Sequence, residues 1–233
     1  MITKISERID ELEKKYNLQT SQIIKKVVNK DSICIDVGCH AGAILEQILK
    51  VSPLVRHYAF EPLPDLYKNL TQKFKHTNVQ FFDVALTDSE GLVNFNYVTS
   101  FPMYSGFKKR RNDRDEEQLV EEIMVKSNML DNFVNETIKV DFIKIDVEGA
   151  EFQVLKGSVN TLKRDHPVII FEHGLGASNF YGTTPTMIFD FLTTLNYKIY
   201  LMDEYLLDGN CLSLHDLIDQ YNTNDNYLFC ASV

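Results

Sequence analysis

The sequence predicts a doubly wound α/β protein: a mostly parallel seven-stranded sheet with helices on both faces and a hairpin insertion after the third strand. Three observations carry this expectation. Apolar runs of strand length alternate with stretches of helical periodicity along most of the chain. The first strand turns through glycines directly into a helix, and nearly every later strand ends on an acid or a polar turn. In an open parallel sheet, that end of the strands is where ligands bind.

The elements follow in order. Ile5, Ile9, Leu12 and Tyr16, then Ile23, Ile24, Val27 and Val28, are spaced for two amphipathic helices broken near Asn17 and Thr20. They form an N-terminal helical segment, residues 1–30, ahead of a single larger domain at 31–233. "SICIDVGCHAG" reads as strand and turn, and "AILEQILK" as the helix after it. "VRHYAFEPLP" is a second strand stopped by prolines, "DLYKNLTQKF" a helix capped by Asp65, and "NVQFFDVAL" a third strand. "TDSEG" then turns into the alternating "LVNFNYV", the expected hairpin, and a long polar loop follows before "LVEEIMVKS". "VDFIKI", "PVIIFEH", "YKIYLM" and "DNYLFCAS" supply four further strands, with helices at "EGAEFQVLKGSVNTLK" and "PTMIFDFLTTL".

Composition narrows the function classes. Hydrophobic residues make up 44% and charged residues 24% of the 233, enough for a substantial core and without an uncharged apolar run of membrane-spanning length. The charged N-terminus lacks the apolar centre of a secretory signal, so a cytoplasmic location is expected. Cys34, Cys39, Cys211 and Cys230 form no CxxC pair and are read as neither disulfides nor zinc ligands. A net charge of −9 argues against general nucleic-acid binding. The local exception, "FKKRRNDR", is either a solvated loop or a patch that meets an anionic substrate.

The strand ends collect the candidate chemistry. The first turn is D-x-G-x-x-x-G, in which Gly38 and Gly42 allow a tight turn but His40 stands where a dinucleotide site has its middle glycine. Asp36 suits a nearby ammonium, Glu61 suits the two hydroxyls of a ribose, Pro62 adjoins it, and Asp83 closes the third strand. An ammonium and a ribose without a phosphate describe S-adenosylmethionine. A nicotinamide-dependent oxidoreductase and a non-catalytic cofactor-binding protein are the alternatives from other classes.

In "KIDVEGAE", strand alternation puts Lys144 and Asp146 on one face, where they neutralise each other. Glu148 and Glu151 fall in the first turn of the next helix, where they cap it or meet the substrate. For proton transfer at this end of the sheet, His173 and Asp146 are the two candidate bases, with Lys144 beside the latter. In a third reading Asp146, Glu148 and His173 hold a divalent metal, although no spacing here is diagnostic of one. Tyr104, Lys108, Arg110 and Tyr181 lie on two loops that would cover an acceptor.

Asp36-Val37-Gly38, "FEPLP", "DFIKIDVEGAE" and "VLKG", followed by "PVIIFE", resemble the FkbM family of S-adenosylmethionine-dependent methyltransferases from about residue 31 to the end. The resemblance implies a Rossmann-like class I methyltransferase fold and O-methylation of a sugar, a glycan or a related small-molecule alcohol. The acceptor could be a nucleotide sugar. His40 departs from the family, which more often has a small or amide residue there. The oligomeric state is left open, a dimer included.

Overall fold

The computed structural model describes residues 2–109 and 118–233, with the backbone alone for residues 2–10. The chain runs α1 (Ile2–Val27), β1 (Ile33–Val37), α2 (Ala43–Val51), β2 (His57–Phe60), α3 (Pro64–Lys73), β3 (Val79–Phe82), β4 (Val84–Leu86) and β5 (Gly91–Val98). It continues β6 (Val120–Asn128), β7 (Val140–Ile145), α4 (Glu151–Lys156), α5 (Val159–Asp165), β8 (Val168–Glu172) and α6 (Pro185–Thr194). It closes with β9 (Lys198–Leu201), α7 (Met202–Leu206), α8 (Leu214–Thr223) and β10 (Leu228–Ser232).

Seven strands form one sheet in the order β3-β2-β1-β7-β8-β10-β9. All neighbours are parallel except β10, which runs antiparallel to both β8 and β9. The order reverses between β1 and β7, whose register pairs Asp36 with Lys144. The crevice of such a sheet opens beyond the C-terminal ends of these two strands.

Side-chain alternation divides the core. Ile35, Val37, Ile143, Ile145 and Phe171 join one buried cluster with α4, α5, α6 and α8. Cys34, Phe142, Ile170 and Cys230 point the other way and pack against Tyr16, Ile23, Ile24 and Val28 at the C-terminal part of α1 and just beyond it. α1 is one helix, not two, because the apolar stripe continues through Tyr16, Thr20, Ile23 and Ile24 at helical spacing and Asn17 faces away from the core.

Four other expectations are corrected. "NVQFFDVAL" is divided at Asp83 between two sheets: β3 ends the large one and β4 enters a small sheet of order β4-β6-β5. The hairpin is therefore absent as drawn, since β4 and β5 lie on opposite sides of β6, parallel and antiparallel to it respectively. The helix after "KIDVEG" breaks into α4 and α5 at Gly157, where a Cβ would fall 2.1 Å from the carbonyl oxygen of Thr87, so the chain must approach that backbone closely. α3 begins on Pro64 after Leu63, with Asp65 in its first turn instead of at its cap. α8 went unread, although Ser213 and Asp216 form a reciprocal capping box at its start.

Candidate active site

The β1 turn and the β7 turn meet at the switch point. Gly38 has φ +76, and a Cβ there would lie 1.9 Å from the carbonyl oxygen of Asp146. Its amide and that of Cys39 donate to Phe60 O at 3.0 and 3.2 Å, while Asp146 N donates to Val37 O at 3.0 Å. The ends of β1, β2 and β7 are thus laced together by backbone bonds. Gly42, by contrast, is a packing glycine: with φ +78 it opens α2, and a Cβ would meet the Phe74 ring at 2.5 Å. It lines neither cavity itself, although Ala41 and Ala43 beside it line the smaller one.

Two cavities share Glu13, Asn17, Gly38, His40 and Asp146. The larger, about 370 Å³, is lined on one side by Phe60, Glu61, Pro62, Leu63 and the β4 residues Val84, Ala85 and Leu86. Phe95, Pro102, Met103, Ser105 and Phe107 from β5 and the segment after it line it as well. The smaller, about 250 Å³, is lined by Asp36, Lys144, Asp146, Glu172 and Tyr227, with Glu13, Asn17 and Thr20 from α1.

Glu61 is 5% exposed, and its two oxygens accept from His40 N at 2.9 Å and Leu63 N at 3.0 Å. Burial raises its pKa to about 7 against the lowering effect of those two amides. Each oxygen keeps a second lone pair for a ligand hydroxyl. His40 reaches Glu61 with its amide because its backbone is left-handed, φ +44; its imidazole is held below the usual range, by burial first.

Asp36 is 1% exposed, and its Oδ2 has no hydrogen-bond partner among the described residues. Burial raises its pKa to about 7, with Lys144 opposing. Lys144 is itself buried and donates to Asp146 Oδ2 at 2.9 Å, the pairing expected from strand alternation. Asp146 is half exposed at the junction of the two cavities. Glu148, with φ +61, lines the larger one.

Other candidates stand elsewhere. His173 is 1% exposed and stacks on Tyr221 of α8, centroids 4.9 Å apart, with both ring nitrogens buried and unpartnered among the described residues. Burial lowers its pKa to about 4. It lines neither cavity, so the base expected at this strand end points into the core. Glu151 is buried and turns back to accept from Val147 N and Gly149 N, both at 3.0 Å, which folds the β7 turn and keeps it from lining either cavity. Asp83 is at the surface, paired with Lys126 at 2.9 Å, and its neighbours Val84 to Leu86 face the cleft instead. Among the described residues the metal set Asp146, Glu148 and His173 does not assemble, and Asp146, Glu151 and Glu172 are instead the carboxylates that bring oxygens within 4.8 Å of one another.

Tyr104 belongs to a 3₁₀ turn, Pro102–Tyr104, whose other two residues line the larger cavity. Tyr181 accepts from Lys108 N at 3.2 Å and so ties the two loops together, while the Lys108 side chain is exposed. Arg110 and most of the basic patch lie outside the described residues. Sequence reading missed Glu13, Asn17, Phe95 and Met103, since nothing in their spacing distinguishes a cleft-facing position from an ordinary exposed one.

The family model for the methyltransferase FkbM domain matches residues 36–199. The 2-O-methyltransferase NoeI of Sinorhizobium fredii (strain NBRC 101917 / NGR234) is 25% identical over 155 residues, which are 61% of this chain and 64% of NoeI. The chain thus matches a little less than two thirds of that relative's length. Among solved structures, the methyltransferase FkbM from Methylobacillus flagellatus KT superposes with a TM-score of 0.54 at 13% identity, covering 88% of this chain and 44% of that one. A putative rRNA-methylase from Clostridium thermocellum gives 0.50 at 11% identity, covering 92% and 93%. At such identities these two speak for the fold, a class I methyltransferase fold. With the family model spanning well over half of its length, including the Asp36 turn, Glu61 and the β7 acids, the chain belongs to the FkbM methyltransferase domain family.

Proposed function

We propose that this protein is an S-adenosylmethionine-dependent O-methyltransferase acting on a hydroxyl of a sugar, a glycan or a related small-molecule alcohol. The observation that carries the reading is the pair of buried carboxylates at the switch point, Asp36 with an unpartnered oxygen and Glu61 with lone pairs to spare, on either side of a glycine that admits no side chain. An adenosine with an amino-acid tail fits that set: Glu61 takes the ribose hydroxyls, and Asp36 meets the positive end of the tail. The apolar wall from Phe60 to Leu86 suits the adenine. The donor supplies a methyl group already activated on a sulfonium sulfur.

The chain must then align the acceptor and take its proton. Asp146 is the group for this step, because it stands where the two cavities join and His173 does not reach them. Lys144 donates to Asp146 Oδ2 at 2.9 Å and so orients the carboxylate that takes the hydroxyl proton as the new C–O bond forms. The many carboxylates of the walls disfavour an anionic group at the reacting end of the acceptor. The 2-O-methyltransferase name of NoeI supports oxygen as the atom methylated.

Two measurements test the reading. S-adenosylhomocysteine should bind with a dissociation constant in the micromolar range, roughly −8 kcal/mol, and NAD should not. A donor-release assay over neutral glycans, free sugars and nucleotide sugars should find turnover in at least one class, lost in Asp146→Asn. Binding of NAD in place of S-adenosylhomocysteine would return the protein to the oxidoreductases.

A further inference from the structure

We propose that α1 builds one wall of the donor's amino-acid subsite, Glu13 binding the ammonium group of the tail and Asn17 its carboxylate. The inference rests on the S-adenosylmethionine reading above and adds residues that lie outside the family-matched segment, which begins at Asp36.

The helix is pinned where this requires. Ile23 and Ile24 are buried against the sheet, and Tyr16, two turns nearer the rim, accepts from Tyr227 N at 3.1 Å and donates to Asn226 Oδ1 at 3.3 Å. Its ring packs edge-on against Tyr227 at 4.9 Å. Glu13 and Asn17 are four residues apart and therefore share one face of the helix. Both are exposed, contribute nothing to the core, and line both cavities.

The chemistry of the smaller cavity asks for a cation. Its wall carries Glu13, Asp36, Asp146 and Glu172 against a single lysine, Lys144, which is already bonded to Asp146. Independently of that cluster, Asp36 Oδ2 is buried in the same wall without a hydrogen-bond partner among the described residues. An ammonium group with three donors satisfies Asp36 and Glu13 together, and the amide nitrogen of Asn17 can donate to the tail's carboxylate.

The test compares two ligands on the full chain by calorimetry. S-adenosylhomocysteine carries the amino-acid tail; 5′-methylthioadenosine keeps the adenosine and thioether without it. Glu13→Gln should weaken S-adenosylhomocysteine about tenfold and Asn17→Ala about threefold, the loss of one charged and one neutral hydrogen bond. Both variants should bind methylthioadenosine as wild type does, and Glu11→Gln, on the same helix but outside the cavities, should bind both ligands normally. Unchanged S-adenosylhomocysteine affinity in Glu13→Gln overturns the proposal. Equal weakening of both ligands also overturns it, because α1 would then act only by packing. If neither ligand binds the wild-type protein, the donor assignment itself fails and this inference falls with it.

Discussion

At the floor of the cleft the chain meets itself backbone to backbone. Asp146 N donates to Val37 O, Gly38 N to Phe60 O, and the space a Cβ would need at Gly38 is already filled by Asp146 O. The cover is assembled differently. Phe95 and Phe107 meet as an edge-to-face pair 5.3 Å apart, and Tyr181 reaches Lys108 through its hydroxyl. Side chains can be exchanged one at a time, whereas backbone contacts cannot. Under the proposed function, the floor is therefore the part that would fix the donor, and the cover the part in which acceptor preference could vary without loss of the fold.

The contrast can be broken at its strongest point with Gly38→Ala. A left-handed residue and a backbone clash together should cost about 3 kcal/mol or more, seen as a lower urea midpoint and loss of S-adenosylhomocysteine binding. A variant of normal stability and affinity would mean that the floor can give, and that the distinction drawn here is wrong.

Glu61→Ala should have the next largest effect. It removes the ribose acceptor and also leaves the amides of His40 and Leu63 without their partner. The expected loss is about 1.5 to 3 kcal/mol in S-adenosylhomocysteine affinity by calorimetry. Unaltered affinity would take Glu61 out of the donor site.

On the cover, Phe107→Ala should cost only about 1 kcal/mol of stability from the lost ring pair and packing. Steady-state kinetics should show the acceptor's Michaelis constant rising while turnover changes little, since such a contact is made in ground and transition states alike. A fall in turnover with an unchanged Michaelis constant would place this ring nearer the chemistry than the cover.

The sequence made the floor legible and the cover mostly not, for physical reasons. Asp36, Gly38, Glu61 and Asp146 stand at the ends of apolar runs, where polar residue types are conspicuous and the topology of a parallel sheet dictates what they face. The Lys144 to Asp146 pair followed from strand alternation alone. His173 shares that position on its strand, yet α8 packs Tyr221 against it, and α8 was not read. Gly42 and Glu151 have the right residue types for ligand contact and are consumed locally, one by the Phe74 ring and the other by two amides. Whether Glu13 faces the cleft depends on how a single long helix docks on the sheet, and this is tertiary information that the helical period does not contain.

The most direct test of the donor site is the pH dependence of S-adenosylhomocysteine binding. Burial raises both Asp36 and Glu61 to about 7 in the ligand-free protein, above the roughly 4 of an unfolded chain. Stability from these two groups is thus fully present below about pH 4 and lost as the pH rises through about 7. A ligand that meets their ionised forms must expel any protons they hold. Calorimetry at pH 6 and pH 8 in buffers of differing ionisation enthalpy should show tighter binding at pH 8, with net proton release at pH 6 that Glu61→Gln reduces. Affinity independent of pH, with no proton exchanged, would contradict a donor site built on these two carboxylates.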